Sequence, residues 1–132
     1  MDLYNLQLTA TNIKYLIAIY YLGQKDRFVK CTDVSKVLSV TRPSVHAMMK
    51  TLTEMSLIEK PHYGKVNFTA KGREMAEKYV TAYGTVHRFF LPLFRENASI
   101  EDVVCAFISR IPFEQLGYVC SNIENRYKTP VV

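Results

Sequence analysis

Residues 31–52, CTDVSKVLSVTRPSVHAMMKTL, hold two helix-spaced apolar patterns separated by only Ser39 and Val40. The next apolar residues switch to strand-like alternation, and this order limits the fold more than any other feature of the chain. In the first pattern Thr32 is expected to cap, Asp33 to sit at the positive end of the helix dipole, and Val34, Val37 and Leu38 to face inward. In the second, Thr41 caps, Pro43 suits the first turn, and Val45, Met48, Met49 and Leu52 form a buried stripe that Leu57 follows. LIEKPHYGKVNFT then reads as a strand over Leu57 to Lys60, a Pro-His-Tyr-Gly turn, and a second strand over Lys65 to Phe68.

Flanking segments complete the pattern. TNIKYLIAIYYLG, residues 11–23, is helical in its spacing, with Thr9 or Thr11 as cap and Gly23 as terminator. Thr69 opens a long helix that Pro92 should kink or end, with Met75, Tyr79, Val86, Phe90 and Leu93 on its apolar face. Ser99 is expected to cap a fifth helix, with Asp102 at capping-box spacing. A sixth helix runs from near Pro112 to about Tyr127, and the tail KTPVV should fray. Helix, short helix, tight turn, helix and hairpin in this order describe a mainly α chain with a winged helix-turn-helix domain. We place that domain at residues 1–72 and a helical dimerisation domain at 73–132, linked by the long helix 70–92.

Composition sets the outer bounds. At 132 residues and 48% hydrophobic the chain can bury a real core. No apolar run reaches the roughly 18–20 residues that span a bilayer, so no membrane partner is expected. The start MDLYNLQLTATN has an early acid and no basic region, which argues against a signal peptide. Cys31, Cys105 and Cys120 are odd in number and widely spaced, which suits a reducing cytoplasm and no disulfide framework. His46, His62 and His87 have no acid or nucleophile pattern around them, and no glycine-rich phosphate loop is present, so an enzyme is not expected.

The charge is informative in its distribution. Residues 27–73 carry nine Lys/Arg against three acids, whereas the rest of the chain carries eight against nine. A localised basic segment is the electrostatic footprint of a phosphate-binding surface. In a winged helix-turn-helix the third helix enters the major groove with its N-terminal residues towards base edges. That end supplies Thr41, Arg42, Ser44 and His46, with Arg42 suited to a bidentate guanine contact, and Lys50 lies further along towards phosphate. Thr32 and Ser35 offer donors to phosphate from the second helix, and Tyr63 and Lys65 stand at the wing tip. The bland alternatives are that Thr32 and Thr41 only cap and that the basic face is only solvated.

Several stretches carry a family resemblance: YLIAIYYL (15–22), TDVSKVLSVTRPSVHAMMKTL (32–52), LIEKPHYGKVNFTAKGREMAEKYV (57–80) and VHRFFLPLF (86–94). Through them the chain resembles the diphtheria toxin repressor and manganese transport regulator family of bacterial metal-dependent repressors. The resemblance implies a winged-helix domain, a helical dimerisation domain and a divalent metal, Mn or Fe, as corepressor. His87 and Cys105 match two of the family's metal ligands. Lys14, Ile17, Leu91, Ile108 and Ser109 stand where other family ligands would be. An ammonium at Lys14 repels a cation, and two remaining donors do not satisfy a divalent ion.

These readings lead to an expected homodimeric, cytoplasmic regulator, most simply a repressor, of a near-palindromic double-stranded DNA operator and without a metal cofactor. Val103, Val104, Phe107, Ile111, Leu116 and Val119 supply the expected dimer surface. The alternatives are a metal-responsive regulator with rearranged ligands (Glu101 or Asp102 with Cys105 and His87), a ligand-sensing regulator of the MarR type, and a winged-helix protein-interaction module.

Overall fold

Thr9 and Asn12 start the first helix by exchanging hydrogen bonds in the computed structural model, which describes residues 7–128, the last two through their backbone alone. The Thr9 N–H donates to Asn12 Oδ1 and the Asn12 N–H to Thr9 Oγ1, both at 3.0 Å, a reciprocal cap with Asn in the usual Glu position. Thr9, not Thr11, is therefore the cap. The helices are α1 (Ala10–Leu22), α2 (Cys31–Leu38), α3 (Arg42–Glu54), α4 (Ala70–Phe90), α5 (Glu101–Ser109) and α6 (Phe113–Lys128). Two short strands, β1 (Val29–Lys30) and β2 (Lys65–Val66), join them, and a 3-10 turn spans Leu91–Leu93. The tail expected to fray falls on residues 129–132, outside the described part.

By packing the chain divides into two compact units: Lys14–Glu77, and residues up to Ile13 together with those from Lys78 onward. Both boundaries fall inside helices, α1 and α4, so the division at 72/73 drawn from sequence and that at 77/78 differ by a little over one helical turn.

In the Lys14–Glu77 unit, Leu16, Ile19, Val34, Val45, Met49 and Leu52 are buried at 2% exposure or less and form the centre of the core. The wing differs from the simple hairpin expected. Leu57 to Lys60 makes only a single bridge, Ile58 to Phe68, because Pro61 follows and has no N–H for the ladder. The regular pairing is instead between β2 and β1, antiparallel, with Val29 opposite Val66 and Lys30 opposite Lys65. Val37 also departs from expectation: it is 58% exposed. On an eight-residue helix Cys31 and Leu38 fall to one side of Val34 and Val37 to the other, outside the buried stripe.

The second unit packs Val86, Ile100, Val104, Ile108 and Leu116 into its own core. Tyr79 lies against the Phe113 ring, 5.8 Å between centroids, and burial pushes its hydroxyl up to about 12. Thr85 Oγ1 donates to Glu124 Oε1 at 3.0 Å, which satisfies a buried hydroxyl. Ser99 does not cap α5. The helix begins at Glu101 with Ile100 as N-cap, one residue later than expected, and the Ser99 hydroxyl donates to the Glu101 carboxylate. Leu93, expected on the apolar face of α4, is 72% exposed because that helix stops at Phe90.

Candidate nucleic-acid interface

The helix-turn-helix is held by one left-handed residue and three hydrogen bonds, one of them from the Ser39 N–H to the Lys36 carbonyl at 3.3 Å. Ser39 closes α2 at φ 53°, and the Val40 N–H returns to the Ser35 carbonyl at 3.1 Å. The Ser35 hydroxyl donates to the Val40 carbonyl at 2.6 Å. Its proton is thus held inside the turn, where Ser35 helps to fix the angle at which α3 leaves. Thr32 sits in the first turn of α2 and is exposed, but Lys30 is the N-cap residue, with no side-chain cap. The expected capping role of Thr32 is therefore corrected: the helix begins two residues earlier than a Thr32 cap would place it, at Cys31.

Thr41 does cap α3. Its Oγ1 accepts the Ser44 N–H at 3.2 Å and lies 2.9 Å from the Ser44 hydroxyl. Arg42 begins the helix and Pro43 occupies its first turn. Inward, Val45, Met49 and Leu52 anchor the helix to the core; outward, Arg42, Ser44, His46 and Lys50 are all exposed. Arg42, His46 and Lys50 recur every four residues, along one face. Thr41→Ala should cost about 1 kcal/mol of stability through the lost cap. A urea titration would check this, and an unchanged midpoint would show that the hydroxyl pair contributes nothing.

The wing tip is a two-residue turn. His62 and Lys65 exchange backbone bonds at 3.0 Å in both directions, and Tyr63 and Gly64 between them stand at φ 51° and 72°, a type I′ geometry. For tyrosine the left-handed region costs about 1 kcal/mol. The Gly64 carbonyl accepts the Cys31 N–H at 2.8 Å, so the tip is tied to the start of α2. Burial pushes the Cys31 thiol up, which keeps it neutral and adds no negative charge to this surface.

One functional candidate was missed in the sequence. Lys30 and Lys65 are directly opposed across β1 and β2 and both are exposed, while the Val29–Val66 pair beside them is buried. Like charges directly opposite weaken a sheet. A bound phosphate would relieve that repulsion, so the pair has the chemistry of an anion clamp. The signal was present as Phe28-Val29-Lys30, an aromatic and β-branched stretch, but two residues are too few to read as a strand. The Lys14–Glu77 unit as a whole holds eleven Lys/Arg and six acids, so its net +5 equals that of the entire chain.

The positions that resemble metal ligands give a different picture. Cys105 and Ile108 are buried in the apolar core of their unit, at 2% and 0% exposure. Ser109 donates its hydroxyl to the Ala106 carbonyl at 2.7 Å. His87 is half-buried and stacks on Tyr83 at 5.6 Å. Glu101 is exposed, and the Ser99 hydroxyl, then its own backbone N–H and less strongly His87, hold its carboxyl below the usual range. Lys14 and Ile17 are half-buried on α1. Among the described residues no three His, Cys, Asp or Glu side chains are grouped to hold an ion. One imidazole and one buried thiol do not fit manganese or iron(II), which take several oxygen or nitrogen ligands.

Residues 7–66 match the family described as iron dependent repressor, N-terminal DNA binding domain. An uncharacterised HTH-type transcriptional regulator of the archaeon Methanocaldococcus jannaschii is 31% identical over 91 residues, 66% of this chain and 73% of that protein. Among solved structures, a hypothetical protein from Sulfolobus solfataricus is similar with a TM-score of 0.55 at 16% identity, over 93% of this chain and 92% of the other. T. acidophilum IdeR is similar with a TM-score of 0.60 at 18% identity, over 94% of this chain but 56% of that one. At such identities the structures speak for the fold alone. With the family match they support a mainly helical chain carrying a winged helix-turn-helix.

Proposed function

Because this chain belongs to the iron-dependent repressor family and is a transcriptional regulator, not an enzyme, we propose that it binds a near-palindromic double-stranded DNA operator as a homodimer and represses without a metal corepressor. One observation carries this reading: the exposed face of α3, the Lys30–Lys65 pair and all of the chain's net charge coincide in a single unit. Arg42 supplies the bidentate guanine contact, Ser44 and His46 face neighbouring base edges, and Lys50, Lys65 and Thr32 reach phosphates. Ser35 holds the turn that aims them. A second copy covers Val103 and Phe107 of α5, which are 43% and 38% exposed. Val104 and Leu116, expected to share in that surface, are instead buried within their own protomer and are not available to it. Among the described residues no helix is long and apolar enough to cross a membrane, and a regulator that binds the operator acts in the cytoplasm.

Independence from metal is supported by the donor set. Ile108 fills the core at a ligand position, and Lys14 brings a positive charge to another. Selection of bound duplexes from a random pool, carried out in chelator, tests both parts. An enriched near-palindrome, lost from Arg42→Ala protein, is expected. Enrichment only after manganese or iron(II) is added would favour rearranged ligands, and no enrichment under either condition would favour a protein-interaction module.

A further inference from the structure

The wing tip carries a tyrosine that this chain's own packing does not use. Tyr63 is 91% exposed, so its ring buries almost nothing. Its backbone stands at φ 51°, where Cβ crowds the carbonyl and where Asn, Asp or Gly would be at ease. Asn-Gly would form the same turn with less strain. A strained and fully exposed aromatic side chain has its use in contact with another molecule.

The tip is also held rigidly. The two backbone bonds between His62 and Lys65 and the tie from Gly64 to Cys31 fix the backbone of the turn, and the His62 ring lies 4.3 Å from the Tyr63 ring. Around it Lys60, His62 and Lys65 are exposed, Lys30 opposes Lys65, and residues 60–66 contain no acid. A planar ring with a hydroxyl donor, flanked by cations, suits a polyanion with a groove of hydrogen-bond acceptors.

We propose that Tyr63 enters the minor groove beside the major-groove seat of α3 and makes binding depend on A·T-rich flanks. This role rests on the DNA-binding reading above. The floor of the minor groove presents only acceptors at A·T and T·A pairs, adenine N3 and thymine O2, whereas G·C adds the guanine amino group. The phenolic O–H donates to those acceptors and meets an obstructing donor at guanine. The negative potential of A·T-rich grooves attracts the neighbouring lysines.

Inosine·cytosine pairs separate the grooves, since they resemble A·T in the minor groove and G·C in the major groove. The tightest duplex recovered from a random pool is rebuilt with A·T, I·C or G·C pairs flanking each half-site, and its affinity is measured for wild type and Tyr63→Gly. Wild type should bind the A·T and I·C duplexes alike and the G·C duplex about 25-fold more weakly, about fivefold for each of the two half-sites. Tyr63→Gly, which keeps the turn and has no donor, should lose most of that discrimination. A wild type that ranks I·C with G·C, or a Gly variant that keeps the full ranking, overturns the role of Tyr63 while leaving DNA binding intact. Failure of wild type to enrich any duplex overturns the DNA-binding reading and this role with it.

Discussion

Gly72→Ala should destabilise the chain by about 3 kcal/mol or more, the reverse of the usual effect of this exchange in a helix. Alanine normally gains about 1 kcal/mol over glycine at a helical position. Here a Cβ on residue 72 would stand 1.7 Å from the Leu57 carbonyl oxygen, 2.6 Å from its carbon and 2.9 Å from Leu57 Cα. These are backbone atoms, and they are held from both sides. The Leu57 carbonyl accepts the Thr69 N–H at 3.1 Å, and the Leu57 N–H donates to the Leu52 carbonyl at 3.0 Å. Neither α3 nor α4 can withdraw without breaking the bond that joins it to Leu57. A loss of this size is a large fraction of the roughly 5–15 kcal/mol by which a domain is stable. Gly117 in α6 is the control: nothing lies within 4 Å of its added Cβ, so Gly117→Ala should stabilise by up to about 1 kcal/mol. Urea midpoints followed by circular dichroism decide the matter. A Gly72→Ala chain at least as stable as wild type would mean that α4 does not approach Leu57 so closely.

Lys30→Ala and Lys65→Ala together should weaken DNA binding on the order of 50-fold for each protomer engaged at 0.1 M salt. Each phosphate contact contributes about 0.9 to the slope of log affinity against log salt, so the double variant should lose about 1.8 from that slope per protomer, about 3.6 for a bound dimer. The deficit then shrinks as salt rises and nearly vanishes towards 1 M. Stability should move the other way or stay level, because the two lysines repel across the strand pair when no DNA is bound. The combination separates a phosphate clamp from a structural pair. Unchanged slope with unchanged affinity would remove the wing from the interface and leave α3 to bind alone.

Much of the candidate interface was legible in the sequence because it is written in local chemistry. Thr41 and Pro43 mark the start of α3 whatever surrounds them, since a cap needs only the amides of its own helix. The Val45, Met49 and Leu52 stripe follows from helical periodicity, and the residues left outside it, Arg42, His46 and Lys50, are then exposed by subtraction. Lys30 was not legible. Its partner is thirty-five residues away, and pairing at that distance leaves no period in a two-residue strand. The Ser99 cap failed for a related reason: a hydroxyl near a helix start has several partners within reach, and Glu101 outcompeted the backbone.

The order of the helices, the basic segment and the main turns were set by the sequence alone, because periodicity, capping and a Tyr-Gly turn act over a few residues. Tertiary structure alone decided three things. It set Lys30 against Lys65, buried Ile108 and Cys105 in an apolar core, and brought the Leu57 carbonyl to where Gly72 must have no side chain. Each depends on the distance between segments far apart along the chain. Such distances are fixed by how a core closes, and no local pattern encodes them.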